Sequence, residues 1–229
     1  MNSHADGATV PVTATQLARL LQFGDSMLPI GGFSFSGGLE SAIQKGVVTD
    51  VASLGEFTRT AVEQAARGDG IAIVCAHRAA LVGDIEELLR IDARVYARKL
   101  SSETRSMSTK MGRKFTELGA HVTSAATMRD WRERVLSGAT PGCYPVALAI
   151  HFAAQGLSAR DAFVVHQYGV AATILGAALR LMRISHIDTQ SLLFQLNADM
   201  DSPYATAVSA TLDDMAGFAP LADILAAVH

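Results

Sequence analysis

Apolar residues return every three or four positions along almost the whole of this 229-residue chain. Nowhere do they alternate with polar residues over a convincing strand length. That period places them on one face of an α-helix, so the chain must bury helical stripes against other helices. The spacing predicts a helix over Thr15 to Phe23, with Leu17, Leu20 and Leu21 on one face. Asp50 is placed to cap a second, carrying Val51, Leu54, Phe57, Thr58 and Ala61. Gly68-Asp69-Gly70 reads as a break, with Asp69 capping a helix that carries Ile71, Val74, Cys75, Arg78 and Leu81. Asp84 precedes Ile85, Leu88, Leu89 and Val95. Ser101 or Ser102 can cap a run through Met107, Met111, Phe115 and Leu118, and Thr127 can cap Trp131, Val135 and Leu136. The turn Ala139-Thr140-Pro141-Gly142 leads into Tyr144 to Gln155. The longest helix is expected from Ser158 to Arg183, with Phe163, Val170, Ile174, Ala178 and Leu181 inward. Short helices are expected at Asp188 to Leu196, Pro203 to Met215 and Leu221 to Val228. The expectation is an all-α, single-domain helical bundle of about ten helices over residues 15–229, behind a flexible segment, residues 1–14.

Composition narrows the class. Apolar residues make up 49% and charged residues 18%, the reverse of what a disordered chain needs. A formal net charge of −3 argues against a generic nucleic-acid binder, which needs a basic surface. Cys75 and Cys143 are too few for a disulfide framework, which suits a reducing, cytoplasmic setting. The first residues, Met1 to Thr13, lack the basic-then-apolar order of a secretory signal. No uninterrupted apolar run reaches the length that spans a bilayer, about 20 residues, so no membrane is expected. The mean hydropathy of +0.25 is nevertheless high. It implies apolar surface reserved for a protein partner.

One segment departs from the helical pattern. Gly24 to Glu40 holds two Gly-Gly pairs and Pro29. Phe33 and Phe35 alternate with Ser34 and Ser36, so one side can pack while the other stays polar. Taken alone it reads first as a tight inter-helix loop anchored by its aromatics, and second as a contact or ligand loop. It is not a phosphate loop, because no Lys-Ser/Thr follows the glycines. It is not a nucleophile elbow either. Phe33-Ser34-Phe35-Ser36-Gly37 lacks the first glycine, and no strand precedes it. No metal site emerges: Cys75 and His77 lie about 200° apart on a helix, and His121, His151, His166, His186 and His229 form no chelating pair. A polar stripe, Ser102, Glu103, Thr104, Arg105, Ser108, Gly112 and Arg113, reads as an inter-helix network. Glu103 and Arg105 point different ways. An arginine offered to a GTPase is the competing reading, though nothing local sets Arg105 apart from Arg113, Arg180 or Arg183.

Asp25-x-x-Leu28-Pro29-Ile30-Gly31-Gly32-Phe33-Ser34-x-Ser36-Gly37-Gly38-Leu39-Glu40 resembles the N-terminal signature of the UreF family of urease accessory proteins. Weaker similarity follows in Glu103-x-Arg105-x-x-Ser108-x-x-x-Gly112-Arg113, in the run from Gln167-Tyr168 to Arg180-Leu181, and in Pro220-x-x-Asp223-Ile224. The order and spacing cover Leu20 to His229. Three departures stand out. Ile184 to Gln190 replaces the usual Gly-Gln loop except at Asp188 and Gln190. Cys143-Tyr144-Pro145 stands where a histidine is usual. The short Tyr- and Arg-containing tail that normally follows is not expected from a chain ending at His229.

The resemblance implies an accessory chaperone without its own catalytic site. It implies a homodimer that joins UreD (also called UreH) and the GTPase UreG to apo-urease, for GTP-dependent nickel insertion. No cofactor would be bound stably, since nickel and GTP are handled by the complex and GTP sits on the partner. Asp25, Pro29, Gly31, Gly32, Phe33, Ser34, Ser36, Gly37, Gly38, Glu40, Glu103 and Arg105 become the partner-binding candidates, with no catalytic and no metal-binding residue. The alternative is a GTPase-activating or fidelity-regulating protein acting on UreG. A hydrolase using Ser34 would need a nearby base that the sequence does not supply.

Overall fold

A computed structural model describes residues 12–217, and all secondary structure among them is helical. Eleven α-helices run in order: α1 Ala14–Gly24, α2 Leu39–Gln44, α3 Val51–Ala65, α4 Ile71–Val82, α5 Ile85–Arg98, α6 Ser102–Thr123, α7 Ala126–Leu136, α8 Tyr144–Ala154, α9 Ala159–Leu181, α10 His186–Leu196 and α11 Asp201–Ser209. This is the all-α bundle that the spacing predicts. Side-chain caps start many of the helices. Asp50 and Ser158 form reciprocal capping boxes with Ser53 and Asp161, and Ser185 does so with Asp188. Asp84 accepts from the amide of Glu87, and Ser101 from that of Thr104. The helix expected over Leu221 to Val228, with Pro220, lies outside the described residues, as does most of the segment 1–14.

The core forms two clusters. In the larger, α8 is buried from Pro145 to Phe152 and is packed by α4, α6, α7 and α9. The smaller is built from α2, α3, α10 and the second half of α9. The helix α9 joins them: Ala162, Phe163 and Val165 belong to the first, and Ala171, Ile174, Leu175, Ala177 and Ala178 to the second. By length and composition α9 is also apolar enough to cross a membrane, contrary to the expectation that no segment was, yet 56% of that stretch is buried inside the protein. It serves here as a core helix.

Several local expectations are corrected. Gly68-Asp69-Gly70 breaks nothing. Residues Ala66–Gly70 form a π-turn that carries α3 into α4, and Gly70 rather than Asp69 holds the cap position of α4. Gly70 is there for space, because a Cβ would lie 2.6 Å from the Phe163 ring. Thr127 does not cap α7, which begins one residue earlier behind Ala125. The helix α9 stops at Leu181 and α11 at Ser209, the latter followed by a short 3-10 turn at Leu212–Asp214. In α1 the buried residue is Phe23, while Leu17 and Leu21 are 50% and 63% exposed. Leu81 and Leu136 also face solvent. Spacing defines a stripe, but only packing decides which edge of it is covered.

Candidate functional site

The glycine-rich segment is an ordered series of turns between α1 and α2. Asp25 ends α1, and its carboxylate accepts from the Met27 amide at 2.8 Å. The Leu28 amide donates to the Asp25 carbonyl at 3.0 Å, and buried Ile30 pins the turn to the core. Gly31 then adopts φ 89°, a left-handed conformation that glycine enters without steric cost. A 3-10 turn, Gly32–Ser34, closes with the Phe35 amide donating to the Gly32 carbonyl at 3.1 Å. Gly37 and Gly38 have φ 62° and 84°, and Gly38 leads directly into α2. The segment lies in the cleft between α6 and α9. A Cβ on Gly32 would sit 3.4 Å from Met111 Cε, and one on Gly37 would sit 3.2 Å from Ile174.

The expected alternation does not hold. Phe33 is 67% exposed, Phe35 is half-buried, Ser34 is exposed and Ser36 is buried. The 3-10 turn destroys the two-residue period, so the rings point to different environments. Phe33 is held by a residue from far along the chain. Arg180 on α9 donates from Nη2 to the Phe33 carbonyl at 3.1 Å, and its guanidinium carbon lies 4.1 Å from the ring centroid. Pro29 is exposed, Glu40 is half-buried at the start of α2, and Asp25 is exposed.

Behind the segment is a half-open cavity of about 250 Å³. Met107, Met111, Tyr144, Val170 and Ile174 form its apolar walls, and Gly37 closes one side. On another wall is an ionic cluster that sequence spacing did not reveal. Lys99 Nζ donates to both carboxylate oxygens of Asp69, at 2.7 and 2.6 Å, and His166 Nε2 lies 3.6 Å from the same carboxylate. Burial alone would raise the Asp69 pKa, but the Lys99 and His166 charges and hydrogen bonds hold it well below the usual range. The π-turn aims Asp69 at this partner instead of at a helix N-terminus.

The second candidate stretch lies at the start of α6. Arg105 donates to the Lys99 carbonyl at 2.5 Å and the Leu100 carbonyl at 3.1 Å, so its guanidinium closes the α5–α6 turn. Glu103 is half-buried and shares the first turns of α6. The glycine-rich segment rests against Met111 of α6, six residues beyond Arg105, so both stretches involve α6 without forming a single cluster. Nearby, Gly112 allows α6 to approach the start of α8 very closely: a Cβ there would lie 2.0 Å from the Gly142 carbonyl oxygen. Asp92 on α5 ties down that turn. It accepts from Thr140 Oγ1 at 2.6 Å, and from the amides of Gly142 and Cys143 at 2.7 and 2.8 Å. Burial raises the Asp92 pKa, opposed by these same bonds. A charged residue between Ile91 and Val95 on an inward stripe was the available signal for it.

Two further buried histidines, His77 and His151, are packing residues, while His121 and His186 are exposed. His77 Nε2 lies 2.8 Å from the Leu157 carbonyl oxygen. His151 is fully buried, with its ring 4.0 Å from that of Phe23 and 5.3 Å from that of Phe115, and neither ring nitrogen has a hydrogen-bond partner. Burial pulls its pKa down to about 4. Among the described residues no group of three or more His, Cys, Asp or Glu side chains is arranged to hold a metal ion.

Comparison with known proteins bears on this architecture. The UreF family pattern matches residues 48–197. Urease accessory protein UreF 2 of Brucella canis is 54% identical over 213 residues, covering 93% of this chain and 88% of that protein. Urease accessory protein UreF of Yersinia enterocolitica is 48% identical over 218 residues, covering 95% of this chain and 96% of its own length. The family pattern spans the helices from the start of α3 through α10, and the longer matches extend over most of the chain. The chain belongs to the UreF family of urease accessory proteins.

Proposed function

We propose that this accessory protein works in the cytoplasm as a homodimeric, non-catalytic scaffold, joining UreD and the GTPase UreG to apo-urease for nickel insertion. The observation that carries the reading is the glycine-rich segment. It sets Phe33 two-thirds in solvent on a backbone fixed by left-handed glycines, where Arg180 holds it; Phe194 on α10 is also exposed but lies on a regular helix. Ordered, exposed aromatic groups are typical of contact surfaces. Nickel and GTP belong to the complex as cargo and fuel, with GTP on the partner. Hydrolysis on a partner GTPase supplies a switch that a rigid bundle lacks.

The competing reading, an arginine inserted into the GTPase site, requires a guanidinium free to leave. Arg105 is tied to two carbonyls and Arg180 to Phe33, which leaves the exposed Arg113 and Arg183 as its candidates. An arginine finger raises GTP hydrolysis by roughly 10³–10⁵-fold, and a scaffold needs no such rise.

The test is co-purification of the full chain with UreD and UreG, alongside a Gly32→Gln variant. Gly32 is outside the left-handed region, and its nearest neighbour is the flexible end of Met111. The variant should therefore fold normally while reducing urease activation about tenfold, as loss of one interface contact does. Full activation by a folded Gly32→Gln variant overturns the assignment of this surface.

A further inference from the structure

We propose that Arg180 is a positioning residue. By holding Phe33, it presents the ring as an aromatic anchor for an apolar pocket rimmed by carboxylates on the partner. The inference rests on the reading of the glycine-rich segment as a contact surface. It adds which residue makes that surface and what chemistry the partner must offer.

The backbone of the segment fixes where Phe33 starts but not where its ring points. An aromatic ring that is two-thirds exposed gains little orientation from packing. Arg180 supplies it twice over, through a hydrogen bond to the Phe33 carbonyl and through its guanidinium above the ring. A second bond from Nη1 to the Gly176 carbonyl, 3.3 Å, steadies the arginine on its own helix. A planar fork does both jobs at once, which an ammonium does not. Covering one face of the ring with a cation leaves the other face and the edge for a partner.

The surroundings choose the partner's chemistry. Lys110, Arg113 and Lys114 are exposed on α6. Lys110 and Lys114 are one turn apart on the same face, and Lys114 Nζ lies 3.8 Å from where a Gly31 Cβ would be. Lys110, Lys114 and Arg180 thus make three exposed cations beside the segment, against Asp25, already accepting from Met27, Glu40, which has a partner of its own, and Glu117 one turn farther on. In a chain with net charge −3 this is a locally positive rim around an aromatic group. Such a rim favours an acidic counterpart and a binding rate that falls with salt.

The experiment titrates UreG onto the full chain in complex with UreD, at about 50 mM and about 300 mM salt, where screening differs strongly. Phe33→Ala should weaken binding about thirtyfold, as for a central anchor, and Arg180→Ala about tenfold. Arg180→Lys should recover part of that loss. The double variant should be within about twofold of Phe33→Ala alone, because Arg180 acts through the ring it holds. Wild-type affinity should fall with salt, and Lys114→Glu should flatten that dependence. Thermal midpoints act as the folding control, and if Arg180→Ala fails to fold, Arg180→Lys carries the cycle. Normal binding by Arg180→Ala, or losses that multiply in the double variant, overturns the positioning role and leaves the contact surface standing. Normal binding by Phe33→Ala overturns both. Salt-independent affinity removes the acidic rim.

Discussion

The surroundings of α8 and the glycine-rich segment solve opposite problems with the same few residue types. Around α8 the chain uses glycine to remove volume: Gly112 lets the backbones of α6 and the 142–144 turn touch, and Gly70 makes room for Phe163. In the segment, glycine is used for backbone angle, at Gly31, Gly37 and Gly38, and the atoms beside Gly31 and Gly37 are the side chains of Lys114 and Ile174, not backbone. Aromatic rings differ in the same way. Phe115, Phe152 and Phe163 are wholly buried, while Phe33 is held out in solvent by one arginine. A residue type therefore says little about its task. The neighbours it would displace say much more.

The sharpest way to break this contrast is Gly112→Ala. One methyl group would press on the Gly142 carbonyl oxygen and the Tyr144 amide, which are backbone atoms that cannot swing aside. We expect a loss of about 3 kcal/mol or more in chemical denaturation, the upper range for overpacking. Wild-type stability in that variant would mean that α6 and α8 are not in such close contact.

Acid should act on the core next. His151 is neutral in the folded protein down to about pH 4, whereas an unfolded chain takes up its proton near pH 6.5. The unfolded state thus binds more protons between these values. Stability is fully present above about pH 6.5 and is lost as pH falls toward 4, by up to about 3 kcal/mol. Urea midpoints measured across that range should show the slope, and His151→Leu should flatten it. Asp69, whose pKa is depressed, would add its own loss only below the ordinary carboxylate range.

The smallest effect is expected in the segment. Phe33→Ala should shift stability by about 0.5 kcal/mol or less, since the ring is mainly in water. A loss comparable to that of Gly112→Ala would make Phe33 a core residue and erase the distinction between the two regions.

The helices were legible because burial imposes a period, and the Asp50, Asp84 and Ser101 caps were legible because a capping side chain sits next to the run it starts. What escaped the sequence depended on residues far apart. Gly68-Asp69-Gly70 carries the letters of a turn, and only Phe163 on α9 and Lys99 at the end of α5 explain why the helix continues through it. The segment was conspicuous as an exception to helical spacing. Its internal order was not, since Phe33 and Phe35 diverge through a 3-10 turn that their alternation with serine disguised. Arg180 looked like any other arginine because its partner lies 147 positions away.

The π-turn at Ala66–Gly70 has a consequence for phase. It joins α3 and α4 into one rod of 32 residues from Val51 to Val82, with α3 feeding the smaller core cluster and α4 the larger. Each residue of an α-helix turns the chain by about 100°. The widened turn thus resets which side of the rod looks inward, as a crank offsets two lengths of one shaft. Removing a single residue there would leave both halves helical and rotate everything after it, swinging His77 away from the Leu157 carbonyl that it meets. The two clusters are timed to each other by that one offset.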